Sequence, residues 1–310
     1  MTTQAALNGL TVLERGWLSS NNVVVHAVAD EPGAVLIDSG HVVHAEQTVA
    51  LVRHALNGER LHRIVNTHLH SDHCGGNAAL QRAFGAPIIV PPGNADAVEA
   101  WDTTRLTHAT TGQRSERFAH AATLAAGDHF IAGGRRWDAL AAPGHDPHSL
   151  MLFDAQHGVL ISADALWADG FGVVFPEIDG EPGFDDVAAV FDTIERLPVQ
   201  LVIPGHGAPF TDVPAALARA RSKLAAFKAQ PERHARHGAK VMIKYHVMED
   251  RRIAHDALLR WAAATPFLCA AWQRFGTAHS DSPAAWCARF IDELVNAGVL
   301  ARDGADVLDR

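Results

Sequence analysis

Eleven residues constrain this chain more than any others: Asn66-Thr-His-Leu-His-Ser-Asp-His-Cys-Gly-Gly76. Within them His68, His70, Asp72 and His73 crowd four metal-ligand side chains into six positions. Imidazole with carboxylate is a donor set that suits Zn²⁺, Fe or Mn. The stretch just before, Leu61 to Thr67, is predicted as a strand, and Asn77 to Phe84, just after the glycine pair, as a helix. The cluster therefore belongs on a strand-to-helix loop, where a rigid scaffold presents chemistry. The chain holds 20 His, so one histidine alone says little. The spacing carries the argument.

The surrounding pattern is α/β. Leu10–Leu13, 23–29 and Ala34–Ile37 are strand-like runs separated by turn chemistry, Ser20-Asn-Asn22 and Asp30-Glu-Pro-Gly33. Residues 45 to 56 have helical spacing, closed by Asn57-Gly58. A strand at 87–90 follows the Asn77 helix. Residues 91 to 130 are less regular and read as an insertion that shapes a pocket or lid. Strands are predicted at 137–142, 149–153, 159–162 and 199–203, with a helix at 186–197 stopped by Pro198. Residues 167 to 184, rich in Gly and aromatics, read as a loop. Apolar strands thus run repeatedly into ligand-type residues: His68, His145 in Pro143-Gly-His-Asp146, Asp164 in Ser162-Ala-Asp164, and His206 in Pro204-Gly-His-Gly207. Strand ends on one edge of a layered sheet converge in space, so these side chains can meet.

This ordered set, together with Leu36-Ile-Asp-Ser-Gly40, resembles the metallo-β-lactamase fold superfamily over about residues 8 to 212. The resemblance implies an αββα sandwich with its site at one edge. It implies that His68, His70 and His145 hold one metal and that Asp72, His73 and His206 hold a second. Asp164 would bridge the two, and Asp38 would support the ligand loop. The cofactor implied is a pair of Zn²⁺ ions, with Fe or Mn suited to the same donors. The activity implied is that of a dinuclear zinc hydrolase whose metal-bridging hydroxide attacks a small ester or thioester, with Asp72 orienting the nucleophile or carrying its proton. Other branches are nucleases and RNA-processing enzymes, or mononuclear iron persulfide dioxygenases. The one tyrosine, Tyr245, lies outside the metal-binding segment, so the loop after Asp164 lacks the phenol of the lactonase branch. His148 is a candidate substitute donor, with a surface role the preferred reading. A thiolate leaves without a dedicated acid, which favours thioesters or activated esters. Cys74 could ligate, but a small buried neighbour is the simpler role.

Residues 213 to 310 form a second predicted unit, set against a hydrolase domain at 1–212. Helices are expected at 214–230, 234–247, 252–264 and 283–297. Two short apolar runs around Asp303-Gly304 then give a hairpin. Helices followed by a hairpin resemble the winged-helix domain that one branch of the superfamily carries. The helix that would read DNA contains Trp286, Arg289, Phe290, Asp292 and Glu293 and is not basic, so packing, homodimerisation or a lid is preferred to base reading. Charge is uneven. The net value is −9, yet Arg219 to Arg260 holds eleven Lys or Arg against four Asp or Glu. That excess admits a nucleic-acid partner, or a solvated face resting on an acidic neighbour. No basic-then-apolar leader and no run of about 18 apolar residues is present. The three cysteines, widely spaced, give no disulfide framework. A cytoplasmic protein with a small-molecule substrate and no membrane association is expected.

Overall fold

The computed structural model describes residues 3–310. Two sheets stack face to face. The first runs in the order β1 (Leu10–Leu13), β2 (Asn22–Val25), β3 (Ala34–Ile37), β4 (Leu61–Val65), β5 (Ile88–Val90) and β6 (Ala122–Thr123). The second contains β7 (His129–Ala132), β8 (Arg135–Ala141), β9 (Leu150–Asp154), β10 (Val159–Ala163) and β11 (Leu201–Pro204), in the spatial order β11-β10-β9-β8-β7. The β1–β2–β3 meander is antiparallel, whereas β3, β4 and β5 are parallel and joined through helices.

The central strands β2, β3, β9, β10 and β11 are apolar at nearly every position because both of their faces are covered. Side chains alternate between faces with a period of two. Val23, Val25, Val35, Ile37 and Val65 meet Leu150, Leu152, Ile161, Leu201 and Ile203 between the sheets. The intervening residues point outwards. Val24, Leu36 and Ile64 receive Val49, Val52 and Leu56 of the Ala45–Leu56 helix. Met151, Phe153, Leu160 and Val202 receive Phe191 and Ile194 of the Phe184–Arg196 helix, and Leu217 and Leu224 of the Val213–Ala229 helix. The result is the expected αββα order of layers.

Beyond it, the helices Pro231–Asp250, His255–Ala264, Pro266–Phe275 and Pro283–Asn296 enclose a further core around Met242, Ile243, Leu258, Phe267, Phe290 and Ile291. Val173 and Ile178, from the loop after Asp164, enter this core as well. Trp286 and Phe290 are 2% and 1% exposed, so those aromatics of the last helix serve packing.

Several expectations shift. The 91–130 segment does contain helices, Pro92–Ala100 and His108–Thr111, but it also supplies β6 and the start of β7, which extend both sheets. The loop after Asp164 contains a short helix, Phe175–Asp179. The helix expected from Arg252 begins at His255 instead. Arg251 takes φ 63°, ending the preceding helix, and Arg252–Ala254 becomes β12. β12 pairs with β14 (Asp306–Asp309), which pairs in turn with β13 (Leu300–Asp303), so the expected hairpin is part of a three-stranded sheet. The Pro266–Phe275 helix escaped the sequence reading.

The basic stretch is neutralised within the chain. Arg219 pairs with Asp169, Arg221 with Asp192 and Glu195, and Lys228 with Asp185. Arg236 and Lys240 share Glu293, Lys244 and Arg251 share Asp309, and Arg252 holds Asp303 and Asp306. Eight of its eleven cations are thus occupied, which is the solvated-face reading and leaves a nucleic-acid partner without its supporting charge. Among the described residues no helix is long and apolar enough to cross a membrane.

Candidate metal centre

The seven ligand-type residues of the sequence reading meet at one end of the two sheets. β4 delivers Asn66, Thr67 and His68. His70 then begins the short helix Ser71–Cys74, which carries Asp72 and His73. The β8–β9 loop brings His145, Asp164 directly follows β10 and His206 lies two residues past the end of β11. Backbone bonds tie these loops together. The Leu150 N–H donates to Thr67 O at 2.9 Å, Asn21 N–H to Gly205 O at 2.7 Å and Ser20 N–H to Asp72 O at 3.0 Å. Two glycines are required by close approach. A Cβ at Gly205 would stand 2.3 Å from Asp164 Oδ1, and one at Gly172 would stand 2.4 Å from His145 Nδ1.

Two donor groups result, His68, His70 and His145 in one and Asp72, His73, Asp164 and His206 in the other. All seven residues are buried. In the first, His70 Nδ1 and His145 Nε2 are 2.7 Å apart. In the second, His206 Nε2 lies 3.0 Å from Asp72 Oδ2, and His73 Nε2 lies 3.3 Å from Asp164 Oδ1. Asp164 faces both groups, because its Oδ2 stands 3.2 Å from His145 Nε2.

The supporting contacts aim the rings. His73 Nδ1 meets Asp38 Oδ2 at 2.8 Å, and Asp38 also accepts from the Thr67 N–H and hydroxyl at 2.9 and 2.8 Å. His145 Nδ1 donates to Val173 O at 2.6 Å. Both rings are thereby held with Nε2 towards the centre, as outer partners do for metal-binding imidazoles. His68 Nε2 and His73 Nε2 are buried polar atoms without a hydrogen-bond partner. Orphan nitrogens in a buried cluster of imidazoles and carboxylates are costly unless something positive meets them. The residues therefore fit divalent ions.

The electrostatics run the same way in the first donor group, whereas in the second burial lowers His73 but the Asp164, Asp38 and Asp72 carboxylates outweigh it and hold the ring well above its ordinary value, so that an ion binding there must displace its proton. Burial pushes His70 down to about 4, with the neighbouring His145 adding to it, and burial together with His73, His70 and His145 holds His68 well below its ordinary value. Neutral imidazole is the form that ligates. Burial alone would raise the Asp72 and Asp164 carboxyls, but the surrounding imidazoles, His73 foremost, outweigh it and hold both well below the usual carboxylate range.

Other candidates lie elsewhere. Cys74 Sγ donates to Leu69 O at 3.3 Å, and burial pushes its thiol well up, so it is the small buried neighbour. His148 is exposed and lies against Gly93, outside both donor groups. Its backbone N–H donates to Asp146 Oδ1 at 2.8 Å, and the Asp146 Oδ2 lies 3.8 Å from His70 Nε2.

One flank of the centre carries no motif in the sequence. Gly238, Met242, Tyr245 and Glu249 recur at spacings of four, three and four along the Pro231–Asp250 helix and so share one face of it. A Cβ at Gly238 would meet Ile178 at 2.8 Å, and Met242 Sδ accepts from Gln113 Nε2 at 3.8 Å. The Tyr245 hydroxyl donates to the Trp17 carbonyl. Burial and then the Asp72 and Asp164 carboxylates push that phenol well above its ordinary value, so the tyrosine does reach the site. Glu249 contacts His41 at 3.1 Å and Arg114 at 3.2 Å. The only hint in the sequence was that Tyr245 is the sole tyrosine.

The sequence profile of the metallo-beta-lactamase superfamily matches residues 15–206. A hydroxyacylglutathione hydrolase of Stenotrophomonas maltophilia is 29% identical over 184 residues, which are 59% of this chain and 59% of that protein. The chain thus matches less than two thirds of that relative's length. Two solved structures share the fold over nearly the whole chain. A β-lactamase domain protein from Burkholderia ambifaria superposes with a TM-score of 0.58 at 18% identity, covering 98% of this chain and 93% of its own. A metallo-β-lactamase family protein from Thermus thermophilus gives 0.56 at 19% identity, covering 98% and 99%.

Proposed function

We propose that this chain, which belongs to the metallo-β-lactamase superfamily, is a metal-dependent hydrolase of small acyl-thioesters or activated esters. The observation that carries the reading is the Asp164 carboxylate, with one oxygen towards His73 and His206 and the other towards His145. A carboxylate shared between two donor groups supports a two-ion site in which His68, His70 and His145 hold one ion, Asp72, His73 and His206 the other, and Asp164 both. Zinc suits the donors. Bound there, such ions acidify a water and polarise an acyl carbonyl. Asp38 and the Val173 carbonyl keep the imidazoles aimed. Asp72 takes the proton of the attacking water and returns it to the departing group. A thiolate needs little of that help, which favours a thioester, as does the likeness to a hydroxyacylglutathione hydrolase. Residues 1–212 supply the ligands. Residues 213–310 are proposed as a second unit that flanks the site, with the Val213–Ala229 helix packed into the core of the first.

The test is metal analysis of the purified protein combined with hydrolysis of acyl-thioesters, p-nitrophenyl esters, lactones and a phosphodiester, with and without chelator. Two Zn per chain and chelator-sensitive thioester cleavage are expected. A single tightly bound iron with oxygen uptake on a persulfide overturns the reading.

A further inference from the structure

Trp17 is a large apolar side chain that is 56% exposed, and it stands over a ligand-type residue. Its ring stacks on His206 at 5.4 Å and 13°. Trp167 meets the Trp17 ring edge-on at 5.4 Å and the His206 ring edge-on at 5.2 Å, and its Nε1 donates to Asp164 Oδ1 at 3.3 Å. Across the centre, Phe175 lies edge-on to His70 at 5.1 Å and to His145 at 5.5 Å. The mouth is therefore aromatic on both sides.

The exposed indole is held in place. Asn21 accepts from the Arg15 N–H at 2.9 Å and donates through Nδ2 to Pro204 O at 2.9 Å and Gly207 O at 2.7 Å, fastening the Trp17 loop to the loop of His206. The Tyr245 hydroxyl fastens the Trp17 carbonyl from the opposite flank. An indole fixed this way can neither activate water nor ligate. What it offers is apolar surface within a few bonds of the reacting carbonyl, surface that gains when a ligand removes it from water.

We propose that Trp17, positioned by Tyr245, is a specificity-determining residue that receives an apolar acyl group of the substrate. The acyl side is chosen because the exposed indole stands against His206 at the edge of the centre, where a chain running outward from the carbonyl would lie along it. This rests on the hydrolase reading above. Trp17 contacts the acyl chain, whereas Tyr245 positions Trp17 and also lies beside the Asp72 carboxylate.

The experiment uses the full chain and a series of N-acetylcysteamine thioesters from acetyl to octanoyl. In wild type kcat/KM is expected to rise by about tenfold or more along the series, from the apolar area covered. Trp17→Ala should flatten that slope, Trp17→Phe should keep most of it, and Tyr245→Phe should reduce it by a smaller factor through KM. Binding is read separately by tryptophan fluorescence, where octanoate but not acetate should quench wild type and leave Trp17→Phe nearly unchanged. An unaltered octanoyl-to-acetyl ratio in Trp17→Ala overturns the proposal, as does octanoate quenching that is the same in Trp17→Phe. If wild type cleaves no thioester or ester, the hydrolase reading fails while the fluorescence result still decides the acyl site.

Discussion

The two flanks of the centre are built differently. On the ligand side, short spacings do the work. Four ligand-type residues fall between His68 and His73, and three more sit where β10, β11 and the β8–β9 loop end. On the opposite flank a single helix, Pro231–Asp250, reaches over with isolated side chains, and the bond from Tyr245 to Trp17 spans 228 positions. The first arrangement concentrates buried carboxylates and imidazoles of the kind that bound ions balance. The second consists of packing and ion pairing that borders the centre and touches it through Tyr245. Variants on the ligand side should therefore change chemistry and metal content, and variants on the helix side should change stability and leave metal content alone.

The largest effect is expected at Asp72. Asp72→Ala should lower kcat by about 10²–10⁴-fold, the range for a positioned proton carrier, and by more than any loss of metal accounts for. Steady-state kinetics beside metal analysis of the same sample checks this. A rate that falls only in proportion to metal content would reduce Asp72 to a ligand.

Asp164→Ala should come next, through binding. It removes a carboxylate that faces both donor groups, leaving two cations close together with less to offset their repulsion. The second ion should be lost first, and melting temperature should fall with it, because bound metal stabilises the folded state in proportion to its affinity. Both should recover in part with excess Zn²⁺. A variant that keeps two ions and wild-type melting would rule out the shared ligand.

The convergence of these seven residues could be read from the sequence because four sit in one short motif after β4 and the other three lie just past the ends of β8, β10 and β11. The αββα layering was legible for a related reason, since strands covered on both faces are apolar throughout. The helix flank was not legible. Tyr245 and Glu249 look like any residues on an amphipathic helix, and their partners Trp17, His41 and Arg114 carry no pattern that pairs them over such separations. β6 and β7 were lost inside an irregular segment because they are short edge strands with exposed positions. The break at Arg251 rests on a left-handed residue that is not glycine, which no local rule announces.

On the helix side, Glu249→Ala should destabilise the protein by roughly 1–3 kcal/mol, the cost of leaving buried partners unmatched. Burial would raise the Glu249 carboxyl, but His246, His41 and Arg114 overcome it and hold it down at about 2, so it is ionised at neutral pH. Its loss leaves the buried His41 ring without that contact. The urea midpoint should fall while metal content stays as in wild type. If metal is lost in step with stability, the two flanks are coupled more tightly than the comparison allows.

The smallest effect separates the flanks by pH. His234 is 1% exposed, its ring lies between Phe184 and Phe227, and its Nε2 accepts from the Val174 N–H at 3.1 Å. Burial, with His237 and Lys223 nearby, pushes it down to about 3. The unfolded ring titrates near 6.5. Above about pH 6.5 the ring is neutral in both states and adds no pH dependence. As pH falls below that value the unfolded chain takes a proton that the folded chain refuses, so stability drops by about 1.4 kcal/mol per pH unit until the folded pKa is reached. A His234→Gln variant can accept the same N–H and cannot titrate. It should be somewhat less stable than wild type at pH 7, yet lose less on going from pH 6.5 to 4.5. The two urea-derived stability curves should therefore converge as the solution is acidified. Because ligand protonation and metal release are shared by both proteins, they cancel in the difference. Parallel curves would mean that His234 is already protonated in the fold and donates elsewhere, and the neutral acceptor assigned here would be wrong.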